Sequence, residues 1–117
     1  MNFNILGLPY EVPETMTVTL KNDAKTTYPE LEGIYELSPE LHQGKPQWKI
    51  RGGGPYAIRF YTSTDYWYVV ESGIPPRLYT KGQKNLNLLP DDTTYKWHYV
   101  VGGAETAPGD VTIRGTL

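Results

Sequence analysis

Residues 47–71 read QWKIRGGGPYAIRFYTSTDYWYVVE, and the fold follows from how they alternate. Tyr56 to Thr62 and Tyr66 to Glu71 flank Ser63-Thr64-Asp65, a set of turn formers. Pairing Tyr61 with Tyr66 sets Phe60 against Trp67 and Ile58 against Val69 on one face, and Arg59 against Tyr68 on the other. A slip of one residue would carry every apolar partner to the wrong side, so the pattern selects this register. Upstream, Arg51-Gly52-Gly53-Gly54-Pro55 reads as a turn. Pairing Ile50 with Tyr56 then brings Trp48 beside Ile58. The segment becomes a meander with an apolar face of Trp48, Ile50, Ile58, Phe60, Trp67 and Val69. Its outward face carries Lys49, Arg51, Arg59, Tyr61, Tyr66 and Tyr68.

The same alternation recurs on both sides. Met16 to Leu20, Gly33 to Leu37, Tyr95 to Val100 and Val111 to Arg114 are short runs of β-branched and aromatic residues bounded by Gly, Pro, Asn and Asp. Leu78-Tyr79 adds a further short strand, and residues 3 to 6 an edge strand or loose arm. Ten Pro and twelve Gly interrupt every window that could hold a helical period. A single helical turn is expected at Ser38-Pro39-Glu40-Leu41, with Ser as N-cap and Pro in the first helical position. Residues 82 to 92 read as a long loop. These signals predict an all-β domain over residues 16–117, preceded by an arm or edge strand at 1–15. The expected architecture is a small antiparallel sandwich or partly open barrel built from meanders, with about seven or eight short strands.

A chain of 117 residues fits one domain, and burial on folding removes roughly two thirds of the unfolded surface at this size. Ten Tyr, three Trp and two Phe supply much of that burial. A net charge of −2 argues against nucleic acid as partner. With no Cys, disulfides and thiolate metal sites are excluded. The start Met1-Asn2-Phe3-Asn4 lacks a basic segment and an apolar run, so no cleavable signal is expected. No stretch approaches the roughly 20 apolar residues of a membrane span, and the chain is expected to be soluble, with its compartment undetermined.

Gly33 to Tyr35, Gly44-Lys45-Pro46-Gln47-Trp48, the aromatic strand Tyr56 to Tyr61 and Trp67-Tyr68-Val69 follow one another in order. In this order the chain resembles the short aromatic all-β repeat modules of large multidomain proteins from protists and marine organisms. Those modules often begin and end on segments similar to Met16 to Leu20 and Asp110 to Thr116. The resemblance covers about residues 16 to 117. It implies a modular, all-β protein and no functional residue, because the group has no established ligand. No second copy of a 20 to 50 residue unit occurs within the chain.

Catalytic and metal chemistry find little footing. Ser38, Ser63 and Ser72 lie among turn residues outside any nucleophile elbow. His42 and His98 are too far apart in sequence for a ligand motif, and no local pattern suggests a Ser/His/Asp triad. Asp91-Asp92 reads as a pair of turn formers. Glu30, Glu32, Glu36 and Glu40 surround one strand and read as a charged edge that discourages strand pairing, not as paired glycosidase carboxylates. Gly52-Gly53-Gly54 lacks the Lys-Ser/Thr and the helix of a phosphate loop.

The outward face of the meander is what remains. Between Leu41 and Thr64 there are four basic residues and no acidic one. Tyrosines beside cationic groups suit a sugar ring, a splayed nucleobase or a protein partner. The sequence therefore predicts a non-catalytic binding or adhesion module without cofactor or metal, with Lys49, Arg51, Arg59, Tyr61, Tyr66 and Tyr68 as candidate ligand contacts. Such a binding face would show exposed, near-coplanar Tyr rings and a shallow groove. The alternative is a structural or assembly module whose aromatic face is buried in a homo-oligomer.

Overall fold

In a computed structural model of the chain, residues 2–3, 12–71, 78–80, 89–92, 96–101, 104–106 and 109–116 are described. The meander sits at the centre of one continuous antiparallel sheet. Its strands are β3 (Thr15–Leu20), β4 (Gly33–Leu37), β5 (Trp48–Ile50), β6 (Tyr56–Tyr61), β7 (Tyr66–Glu71), β8 (Leu78–Thr80), β9 (Trp97–Val101), β10 (Ala104–Thr106) and β11 (Val111–Thr116). They lie in the order β10-β9-β8-β7-β6-β5-β4-β3-β11. A separate short ladder joins β1 (Asn2–Phe3) to β2 (Val12–Pro13). The large sheet curls until β9 comes into contact with β11, giving a partly open barrel. The sandwich alternative falls, because the strands form one sheet that wraps its own core.

The register of the meander is the expected one: Tyr61 opposes Tyr66, Phe60 opposes Trp67, Ile58 opposes Val69 and Trp48 opposes Ile58. Inward alternation fills the barrel. Trp48, Tyr35, Ile58, Val69, Met16 and Leu78 are each 0% exposed, and Trp67 is nearly so. Ile50 packs on this core only partly buried. Three buried polar groups among the described residues find partners inside. Trp48 Nε1 donates to the Pro13 carbonyl at 2.9 Å, which ties β2 to the meander. Tyr35 donates its hydroxyl to the Leu31 carbonyl at 2.6 Å. Thr80 Oγ1 accepts the Trp67 amide at 3.0 Å, so a hydroxyl takes over where the β7–β8 ladder stops.

Several expectations are corrected. A six-residue helix α1 (Asn22–Thr27) and a 3₁₀ turn (Pro29–Leu31) stand where no helix was expected. Its composition, Asn-Asp-Ala-Lys-Thr-Thr, has little intrinsic helix preference and is too short to form alone. Tertiary contacts hold it: Ala24, Tyr28 and Leu31 join the core, and Tyr28 meets Tyr99 edge-on at 6.4 Å. Ser38 starts a bend, not a helical turn, with its Oγ accepting the Glu40 amide at 3.2 Å. The acidic stretch is not an edge, because β4 is paired on both sides, to β3 and β5. Glu32 instead accepts the Leu20 amide and the Lys25 ammonium, at 2.8 and 2.9 Å. The strand expected from Tyr95 is observed from Trp97. Residues 4–6, Ser72, most of the 82 to 92 loop and Tyr95 lie outside the described residues.

Side chains link the β9 side of the sheet to β11. Tyr99 on β9 donates its hydroxyl to Asp110 at 2.6 Å, just before β11. Asp91 accepts the Gly115 amide at 3.1 Å, and a β-carbon at Gly115 would stand 2.5 Å from that carboxylate. Asp91 is thus a pin across the seam. Beside it, Trp97, Val111 and Ile113 help line a hollow of about 160 Å³.

Candidate functional site

Lateral register builds the site. Arg59 on β6 opposes Tyr68 on β7, Tyr68 opposes Tyr79 on β8, and Tyr79 opposes His98 on β9. Alternation places these four on the outside, because Phe60, Trp67, Leu78 and Trp97 beside them in sequence are buried. The four form one row across four strands, about 14 Å long at roughly 4.8 Å per strand. Tyr61 and Tyr66, paired to each other, make the next row.

The rings touch in sequence. Tyr61 and Tyr68 lie 5.2 Å apart at 72°, Tyr66 and Tyr68 6.2 Å at 66°, and Tyr68 and Tyr79 6.3 Å at 48°. Tyr79 and His98 are nearly parallel, 5.9 Å apart at 22°. His42 extends the stripe, meeting Tyr61 at 4.9 Å. Exposed, near-coplanar Tyr rings were expected of a binding face, and the tyrosines are instead half-buried and mutually inclined. Edge-to-face packing, which the ring quadrupoles favour, leaves a corrugated surface of ring edges and slots. All six rings are half-buried.

A small hairpin brings His42 there. His42 and Lys45 form a two-residue bridge around Gln43 and Gly44, both with positive φ (51° and 82°), the geometry of a type I′ turn. His42 Nδ1 donates to the Phe60 carbonyl at 2.9 Å. Gln43 Oε1 accepts the Thr62 amide and hydroxyl, at 2.6 and 2.9 Å. Lys45 lies 5.0 Å over the Phe60 ring. Across the β6–β7 turn, Tyr68 donates to Thr64 Oγ1 at 2.8 Å.

Arg59, Tyr61, Tyr66 and Tyr68 are thus brought together as the sequence predicts. Lys49 is exposed one row away, beside Ala57. Arg51 stands apart, four residues further along the strand direction from Arg59, or roughly 14 Å at about 3.4 Å per residue. It is ion-paired to Glu36 at 3.2 Å. Tyr79 and the buried Gln47 were not singled out beforehand, and His42 and His98 were considered only as catalytic or metal groups and set aside. Alternation alone would have turned Tyr79 and His98 outward. Their place beside Tyr68 depends on the β7-β8-β9 order, which no local pattern encodes.

Among the described residues, no three His, Cys, Asp or Glu side chains cluster so as to hold a metal ion, and no helix is long and apolar enough to cross a membrane. No protein-family model, curated protein or solved structure matches the chain.

Proposed function

We propose that the chain is a non-catalytic binding module that presents the Tyr-rich outer face of β6–β9 to a glycan or protein partner. The row Arg59–Tyr68–Tyr79–His98, flanked by Tyr61 and Tyr66, is the observation that carries this reading. It concentrates rigid planar side chains with hydrogen-bonding tips, which lose little entropy on binding. A glycan fits it better than a protein. Protein interfaces also draw on Tyr and Arg, but there they act as anchors set in a desolvated apolar centre. Among the described residues the exposed large hydrophobics are Ile34 and Leu41, and neither lies on β6–β9. The stripe offers hydroxyl, imidazole and guanidinium groups between ring edges. These suit a chain of hydroxyl-bearing rings lying across the strands. Membership in the aromatic modules of multidomain proteins belongs to the same proposal.

A glycan array probed with wild type and with Tyr61→Ala/Tyr68→Ala tests it, with circular dichroism as the folding control. Wild type should bind a subset of glycans that the folded double variant loses. Equal signals from both proteins would remove the face from glycan binding.

A further inference from the structure

Arg59 carries the one fixed positive charge among the described residues of the stripe, and it is held in an unusual way. Its Nε donates to Gln47 Oε1 at 2.7 Å. Gln47 is only 4% exposed, and its Nε2 donates in turn to the Glu40 carbonyl at 3.1 Å. The backbone therefore sets the amide, and the amide sets the guanidinium. Arg51 offers the contrast, since its Nε is taken by the Glu36 carboxylate. The described ion pairs are Lys25–Glu32 and Arg51–Glu36, and neither includes Arg59. With Nε engaged from behind, the two terminal nitrogens of Arg59 keep their N–H groups in a planar fork. That fork matches the oxygens of a carboxylate or sulfate. A buried glutamine that aims an arginine without cancelling its charge is the arrangement expected of an oxyanion grip.

We infer that the ligand of this face is an anionic glycan, whose carboxylate or sulfate group is gripped by Arg59 while neighbouring sugar rings lie along Tyr68 and Tyr79. The inference rests on the glycan-binding reading above and adds the charge of the sugar. Gln47 acts as a positioning residue, and Arg59 as the contact.

The test is a titration of wild type, Arg59→Gln and Arg59→Lys, followed by calorimetry and by amide NMR shifts. The probes are tri-galacturonate, a sulfated dextran oligomer, a neutral trisaccharide of equal length and a short poly-glutamate peptide. Wild type should bind one of the two anionic sugars at least about tenfold more tightly than the neutral one, and which one identifies the oxyanion. Shifts should centre on Arg59 and Tyr68. Arg59→Gln should abolish the preference, and Arg59→Lys, which keeps charge without the fork, should retain part of it. Equal affinity for charged and neutral sugars, or an unchanged preference in Arg59→Gln, would overturn the anionic assignment while leaving a glycan face intact. Binding of the peptide and of no sugar would overturn both.

Discussion

Trp48 joins distant parts of this molecule. It is 0% exposed, tilts against Trp67 at 6.1 Å and donates to Pro13 across 35 positions of chain. Trp48→Phe keeps an aromatic ring but strands a buried carbonyl and leaves a gap. The expected loss is roughly 2–4 kcal/mol, read from the urea midpoint at unchanged slope. A loss near zero would mean that water replaces the indole N–H at Pro13. Tyr35 illustrates the same coupling of burial and chemistry. Burial, followed by the neighbouring Tyr56 and Glu30, pushes its hydroxyl well above the ordinary 10. It therefore remains a protonated donor to Leu31 throughout the neutral range.

The β6–β7 hairpin is the element on which both fold and site depend. Its turn closes with Asp65 donating its amide to the Tyr61 carbonyl at 2.9 Å while in the left-handed region, φ 61°. Asp tolerates that conformation and a β-branched residue does not. Asp65→Val should cost about 1–2 kcal/mol, with Asp65→Gly close to wild type; thermal melts of the three proteins compare them. Equal melts would show that the turn relaxes to another type. The hairpin was legible in advance because Phe60–Trp67 and Ile58–Val69 coincide in one register only. Helix α1 was not, because its order comes from Ala24, Tyr28 and the Glu32 carboxylate, contacts made after the chain has folded. The candidate site was half legible for a similar reason. Arg59, Tyr61, Tyr66 and Tyr68 belong to one hairpin, whereas Tyr79 and His98 join them through strand order and Gln47 through a buried bond.

At the scale of the whole molecule, the barrel is held at its seam and at its helix by carboxylates. Hydrogen bonds from the Tyr99 hydroxyl and the Asn22 amide hold Asp110 below its ordinary 3.8. The Leu20 amide, then Lys25, hold Glu32 below its ordinary 4.5. A carboxylate whose pKa is lowered by folding stabilises the protein above its unfolded pKa and loses that effect as pH falls through the folded value. The contribution of Glu32 should therefore begin to fall near pH 4.5 and that of Asp110 near pH 3.8, each being lost progressively as pH drops towards the lowered folded value. Glu32→Gln/Asp110→Asn should be less stable than wild type at pH 7 and lose less on acidification, in unfolding curves from pH 7 to pH 3. An identical acid limb in both proteins would assign acid sensitivity to other carboxylates.

The central claim is that the aromatic face of β6–β9 stands open to a ligand. Size-exclusion chromatography with light scattering, run on wild type and on Tyr61→Ala/Tyr68→Ala, tests it most directly. The account predicts two folded monomers of about 13.3 kDa. A wild-type dimer that the double variant converts to a folded monomer would contradict it, and would make the stripe an assembly surface.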